Sequence, residues 1–220
     1  MIVVTSFSEA GGHPNNEDAC VVLPHPSGPD RWLCFLADGQ GGRAGGAEAS
    51  RLACRVAAEA AVCQRVHALV EPATWESILG TADRAVAADR DAGFTTLIGF
   101  LVTGEFVAGA SCGDSAVLML SRSDSVRELT SGQRKNPPVG SGGADIVPFS
   151  AAMRWPWSVL AMSDGVWKYV GWDPLVQAAR ASRGQHLVEA LQALARSSRS
   201  GQFPDDFTVV VFEDDDRRSS

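Results

Sequence analysis

The chain has 220 residues, 45% of them hydrophobic and 20% charged, with 26 acidic against 19 basic residues for a formal charge of −7. These proportions belong to a folded globular chain, and the carboxylate excess argues against a general nucleic-acid binder, which needs a basic face. No apolar run reaches the ~20 residues that cross a bilayer, and the opening MIVVTSFSEAGG lacks a basic start and a long apolar stretch, so no membrane contact and no secretory signal are expected.

In chain order, three strands are expected near 2–7, 18–24 and 31–37, each rich in Val, Leu, Phe or Cys and bounded by Gly or Pro. A long helix over 46–70 follows, with Leu52, Val56, Ala60, Cys63, Val66 and Val70 on one stripe. A second helix after Pro72 presents Trp75, Ile78, Leu79, Ala82 and Val86, with Thr74 as its N-cap. TTLIGFLVTGEFVAGASCGDSAVLML reads as a three-stranded meander, and 126–130 as a weaker strand. The Gly-, Pro- and Ser-rich segment 131–143 reads as a mobile loop. WSVLAM at 157–162 is a strand, Asp173-Pro174 opens a helix, and Leu187, Leu191 and Leu194 mark another. FTVVVF at 207–212 is the last strand, so one domain over 1–213 and a charged tail at 214–220 are expected.

Strands come in blocks rather than alternating singly with helices, which disfavours a doubly wound parallel sheet. The expected class is α+β: a four-layer αββα sandwich, two antiparallel sheets flanked by pairs of helices. Cys20, Cys34, Cys54, Cys63 and Cys112 are scattered and never spaced C-x-x-C, which suits free thiols in a reducing, cytoplasmic setting.

Aspartates fall at the ends of apolar runs: Asp18, Asp38, Asp114, Asp164 and Asp205. Any one of these beside a glycine is an ordinary turn. Together they would repel one another unless protonated or joined by a cation, and hard oxygen donors without clustered His or Cys favour Mg²⁺ or Mn²⁺ over zinc. Gly39, Gly41 and Ala44 form G-x-G-x-x-A after a strand, but no second strand ends in an acid ~20 residues on, so a dinucleotide site is disfavoured.

NEDA at 16–19, ADGQGGRAGGAEAS at 37–50, FTT at 94–96, GDS at 113–115, MSDGVW at 162–167 and DDFTVVV at 205–211 together resemble the type 2C (PPM) metal-dependent serine/threonine protein phosphatases. The resemblance runs in order over about residues 11 to 213 and implies a β-sandwich with two Mg²⁺ or Mn²⁺ ions at one end. It implies that Asp38 bridges the two ions, that the Gly39 carbonyl completes a shell, and that Glu17 and Asp18 form the acidic pair. Asp164 and Asp205 would bind the other ion, Asp114 would serve a third, weaker one, and Asp206 would be a support. The implied reaction is hydrolysis of phosphoserine or phosphothreonine in a phosphorylated protein by water held between the ions, with no covalent enzyme intermediate. A monomer and a partner serine/threonine kinase accompany that reading.

Four departures stand against the family pattern. His13 replaces the arginine that holds substrate phosphate, and Arg43 stands where a histidine is common, so both are candidate substrate-binding residues. The segment between GDS and SDG is short, although it carries Arg134 and Lys135, and Ala47 replaces a glutamate. These departures keep an alternative open: a catalytically weak phosphatase-like module that binds a phosphoprotein or regulates a kinase. Trp155, Trp157, Trp167 and Trp172 near SDG are expected to pack in the core and between helices.

Overall fold

A computed structural model describes residues 1–12, 14–40, 45–121, 125–196 and 200–214. His13, Arg43 and all of the expected tail but Asp214 lie outside these described residues. Among the described residues, ten strands build two sheets of five, every pairing antiparallel. The first sheet orders β1 (Ile2–Glu9), β10 (Phe207–Asp214), β9 (Trp157–Met162), β6 (Ala116–Ser121) and β7 (Val126–Glu128). The second orders β2 (Asp18–Pro24), β3 (Trp32–Asp38), β4 (Leu97–Val102), β5 (Phe106–Cys112) and β8 (Val147–Ala152).

The period-two alternation of the central strands divides their side chains between layers. On β3, Leu33, Phe35 and Ala37 face α1 (Gly46–Val62) and α2 (Pro72–Ala88), whereas Cys34 and Leu36 face the other sheet. On β10, Val210 and Phe212 point into the space between the sheets, and Val209 and Val211 point at α3 (Asp164–Val170), α4 (Trp172–Ala181) and α5 (Gly184–Ala195). Three apolar interfaces therefore separate four layers, the αββα order expected; the second helical layer adds the short α3 to the expected pair. Phe100 of β4 meets Phe212 of β10 edge-on across the middle interface, ring centroids 5.8 Å apart.

Several elements differ from the sequence reading for identifiable reasons. The first long helix stops at Val62, and Leu69 reappears in a single 3-10 turn, fully buried, its carbonyl accepting the Trp75 indole N–H at 2.8 Å. The face that α1 buries is made of Ala49, Ala53, Ala57 and Ala61 beside Leu52, so small side chains bring the helix close to the sheet while Cys63 is exposed. Pro72, not a residue after Thr74, starts α2, and Trp172 starts α4. Leu194 is exposed while Leu187 and Leu191 are buried. The edge strand β8 was hidden by Pro148, which cannot donate to a ladder and so reads as a breaker.

Segment 131–143, expected to be mobile, is pinned along its length. Gly113 N–H donates to the Arg134 carbonyl at 3.0 Å, Gln133 donates to the Ser115 carbonyl, and Val139 exchanges backbone hydrogen bonds with Thr95. The buried Asp83 carboxylate of α2 accepts the backbone N–H groups of Gly140, Gly142 and Ala144 at 2.8 to 3.1 Å. Asp83→Ala strands three donors, so it is expected to lower unfolding free energy by about 3 kcal/mol in urea titration, with the far-ultraviolet spectrum of the native state retained.

Candidate active site

One end of the sandwich gathers the strand-end acids. Asp18 is the first residue of β2 and Asp38 the last of β3, and the pairing register sets them directly opposite one another. Asp164 opens α3 just beyond β9, and Asp205 lies just before β10, so these two come from the other sheet. Asp114 sits in the turn from β5 to β6, where the chain crosses between sheets. A cavity of about 420 Å³ opens here, lined by Glu17, Asp38, Gly39, Asp114, Asp164 and Asp205 together with Gln40, Thr95, Thr96, Lys135 and Asp206 among others.

The backbone of the site is held tightly. The Asp38 N–H donates to the Thr96 hydroxyl at 2.9 Å, the Asp38 carbonyl accepts from the Thr96 N–H and the Thr95 hydroxyl, and the Gly39 N–H donates to the Glu17 carbonyl at 3.1 Å. A β-carbon at Gly39 would lie 2.4 Å from the Gly46 carbonyl oxygen, so only glycine lets β3 turn into α1 here. At Gly165 the same addition would lie 2.0 Å from the Asp206 carbonyl oxygen, which explains the SDG turn after β9. Asp206 accepts the N–H of Gly11 at 2.8 Å and of Glu17 at 2.6 Å, clamping both ends of the segment that carries position 13.

The electrostatics are unbalanced. Asp38 is pushed up to about 9, first by burial and then by the charges of Asp18, Asp164, Asp114 and Asp205. Asp18 is raised to about 7, again chiefly by burial; nearby Thr208 and Ser163 hydroxyls oppose the rise and Asp206 and Asp164 add to it. Both Asp18 carboxylate oxygens are buried, and neither makes a hydrogen bond of good geometry among the described residues. Lys168 bonds Asp164 one helical turn earlier and reaches Asp114 at 3.7 Å, and Lys135 also pairs with Asp114. The Lys168 ammonium is raised despite a burial effect in the opposite direction, because the hydrogen bond and charge of Asp164, with Asp114 and Asp205, prevail.

The structure thus brings Glu17, Asp18, Asp38, Gly39, Asp114, Asp164 and Asp205 to one end of the fold. Among the described residues, no three His, Cys, Asp or Glu side chains close on a common point as they would around a bound ion. Sequence reasoning passed over Lys168, whose i, i+4 spacing from Asp164 on a helix start was the available signal, and the two threonines that fix Asp38. Of the tryptophans, Trp157 is in the inter-sheet core, Trp167 stacks on Trp172 at 5.7 Å and donates to the Asp114 carbonyl, and Trp155 is exposed.

The protein phosphatase 2C profile matches residues 9–198. The chain belongs to the protein phosphatase 2C family. It is by that membership an enzyme of the serine/threonine protein phosphatase class. Among solved structures it is similar to the serine/threonine phosphatase PstP of Mycobacterium tuberculosis, at 22% identity and a TM-score of 0.77 over 96% of this chain and 98% of that one. The catalytic domain of PstP has also been solved in complex with two manganese ions. Stp1 from Staphylococcus aureus aligns at 18% identity with a TM-score of 0.76, covering 98% of this chain and 96% of that one. RsbX, solved in complex with magnesium, aligns at 14% and 0.73, covering 96% and 94%. No curated protein sequence matches the chain. Among the described residues of this phosphatase-family protein, no helix is long and apolar enough to cross a membrane.

A carboxyl raised above its ordinary value keeps a proton in the folded state that the unfolded chain has lost. The stability contributed by Asp18 and Asp38 is therefore present below about pH 3.8 and lost as pH rises through about 7 and then about 9. In chelator, the melting temperature is expected to fall from pH 5 to pH 8. Asp38→Asn is expected to flatten that fall and raise stability at pH 8 by on the order of 3 kcal/mol, read by denaturant titration at both pH values.

Proposed function

We propose that this phosphatase hydrolyses phosphoserine and phosphothreonine on proteins at the cavity described above, using Mg²⁺ or Mn²⁺. The observation that carries the reading is the Asp18–Asp38 pair, opposed in register, with both Asp18 oxygens buried and lacking good hydrogen bonds. The residues fit divalent ions by donor chemistry: the cavity offers carboxylates and the Gly39 carbonyl, with no His or Cys among its described lining residues. Asp18, Asp38 and the Gly39 carbonyl, with Glu17 beside them, and Asp164 and Asp205 from the other sheet, would hold two ions, with Asp38 shared. When bound, the ions supply an activated water and neutralise charge growing on the phosphoryl oxygens.

The chain's own part is positional. Thr95 and Thr96 fix the backbone on both sides of the Asp38 side chain, and their hydroxyls are thereby engaged rather than available as nucleophiles. Water attacks phosphorus directly, the P–O ester bond breaks, and the serine or threonine oxygen departs with a proton. His13 and Arg43 are proposed to approach the substrate phosphoryl group, and the domain over 1–213 acts alone as a monomer. The substrate is a phosphorylated protein made by a serine/threonine kinase, in a cytoplasmic signalling setting. The alternative, a weakly catalytic phosphoprotein-binding module, rests on His13 in place of arginine.

Hydrolysis of p-nitrophenyl phosphate and of a phosphothreonine peptide is expected with Mn²⁺ and absent in EDTA. Asp38→Ala is expected to reduce kcat at least ~100-fold, on the scale of losing a charge-stabilising group from a transition state. Folded, Mn²⁺-supplied wild type without turnover would remove the catalytic reading in favour of the binding module.

A further inference from the structure

The basic residues of this chain are nearly all arginine: of 19, only Lys135 and Lys168 are lysine. These two lysines come from distant parts of the sequence, one in the pinned segment before β8 and one in α3, and both reach Oδ2 of Asp114. Lys168 also holds Oδ2 of Asp164, while Oδ1 of Asp164 has no lysine contact among the described residues. The Asp114 side chain is only 17% exposed, whereas the two lysines keep 60% and 40% of theirs in solvent. A half-buried carboxylate is thus paired from the solvent side with two ammonium groups, beside the cavity that Lys135 lines.

Lysine differs from arginine in the way this place requires. Its ammonium is a compact point charge with donors in three directions, whereas guanidinium is a wide planar fork. Two ammonium groups can share one oxygen and still turn donors toward a tetrahedral oxyanion. The loop bearing Lys135 is fixed by the Gly113–Arg134 hydrogen bond on one side and the Val139–Thr95 pairing on the other, so its charge is delivered to a set position. Position 13 carries histidine, a weaker and pH-dependent anion partner than arginine.

We propose that Lys135 and Lys168 form a built-in cation at Asp114 that contacts the substrate's phosphoryl oxygens, standing in both for a third metal ion and for the arginine absent at position 13. The inference rests on the phosphatase reading above. The pair binds the oxyanion and performs no covalent step.

The test counts ions and measures phosphate binding separately from turnover. Bound Mn²⁺ is counted by paramagnetic resonance of the free ion, and inorganic phosphate binding to Mg²⁺-loaded protein is followed by calorimetry. Wild type is expected to bind two Mn²⁺, Lys135→Met/Lys168→Met three, and the further change Asp114→Asn two again. Phosphate affinity is expected to fall at least ~10-fold in Lys135→Met/Lys168→Met/Asp114→Asn, which carries neither the two ammonium groups nor the extra ion, and to be low also in Lys135→Arg/Lys168→Arg. Because the protein contains two lysines, ¹³C-lysine labelling gives two side-chain signals, and both are expected to shift when phosphate is added to Mg²⁺-loaded wild type. Three Mn²⁺ in wild type with the third lost in Asp114→Asn, or unchanged phosphate affinity in the folded triple variant, overturns the proposal alone. Wild type that binds no Mn²⁺ removable by Asp38→Ala overturns it together with the phosphatase reading.

Discussion

Two aspartates opposed on neighbouring strands set the terms for everything around them. Like charges directly across a ladder are unfavourable, and at ~4 Å with an effective dielectric near 20 each such pair repels by about 4 kcal/mol. Asp18 and Asp38 stand in that relation with little solvent to relieve it. The fold does not relieve it with a buried basic side chain on β2 or β3. Instead it fixes the main chain around Asp38, through Thr95, Thr96, Glu17 and the close Gly39–Gly46 approach, so that the two strand ends stay opposed.

The remaining buried acids show how differently a carboxylate behaves when the protein satisfies it. Asp83 receives three backbone N–H groups and anchors a loop; Asp206 receives two and anchors the segment before β2. These are structural fasteners, because their lone pairs are directed at main-chain donors. Asp18 has no such donors of good geometry, and its burial is therefore an unpaid structural cost unless something else supplies positive charge. The contrast sets Asp18 apart from these two fasteners without reference to any relative.

The block order of strands and helices was legible in the sequence because the central strands are long, apolar and bounded by glycine. The ends of β3, β5 and β9 were legible for a related reason: an aspartate beside glycine closes an apolar run at 38, 114 and 164. What pattern could not carry was convergence. Nothing local to Asp18 or Asp164 indicates that the two sheets bring their ends together; only the resemblance supplied that expectation. The alanine face of α1 was masked by a weaker stripe of valines beside it, and β8 by its proline. The Asp83 fastener was invisible for the opposite reason, since an acid among apolar helix positions gives no hint of a partner loop ~60 residues away.

The acids gathered at this end are divided between the two sheets: Asp18 and Asp38 stand on one, Asp164 and Asp205 at strand ends of the other. The distance across the site is consequently an inter-sheet distance, and what sets it is the thickness of the apolar layer in which Phe100 meets Phe212. That layer acts as a shim. Ring-sized residues of the middle layer hold the two acid-bearing strand ends apart, so the gauge of the charged end is written in the oily middle of the molecule.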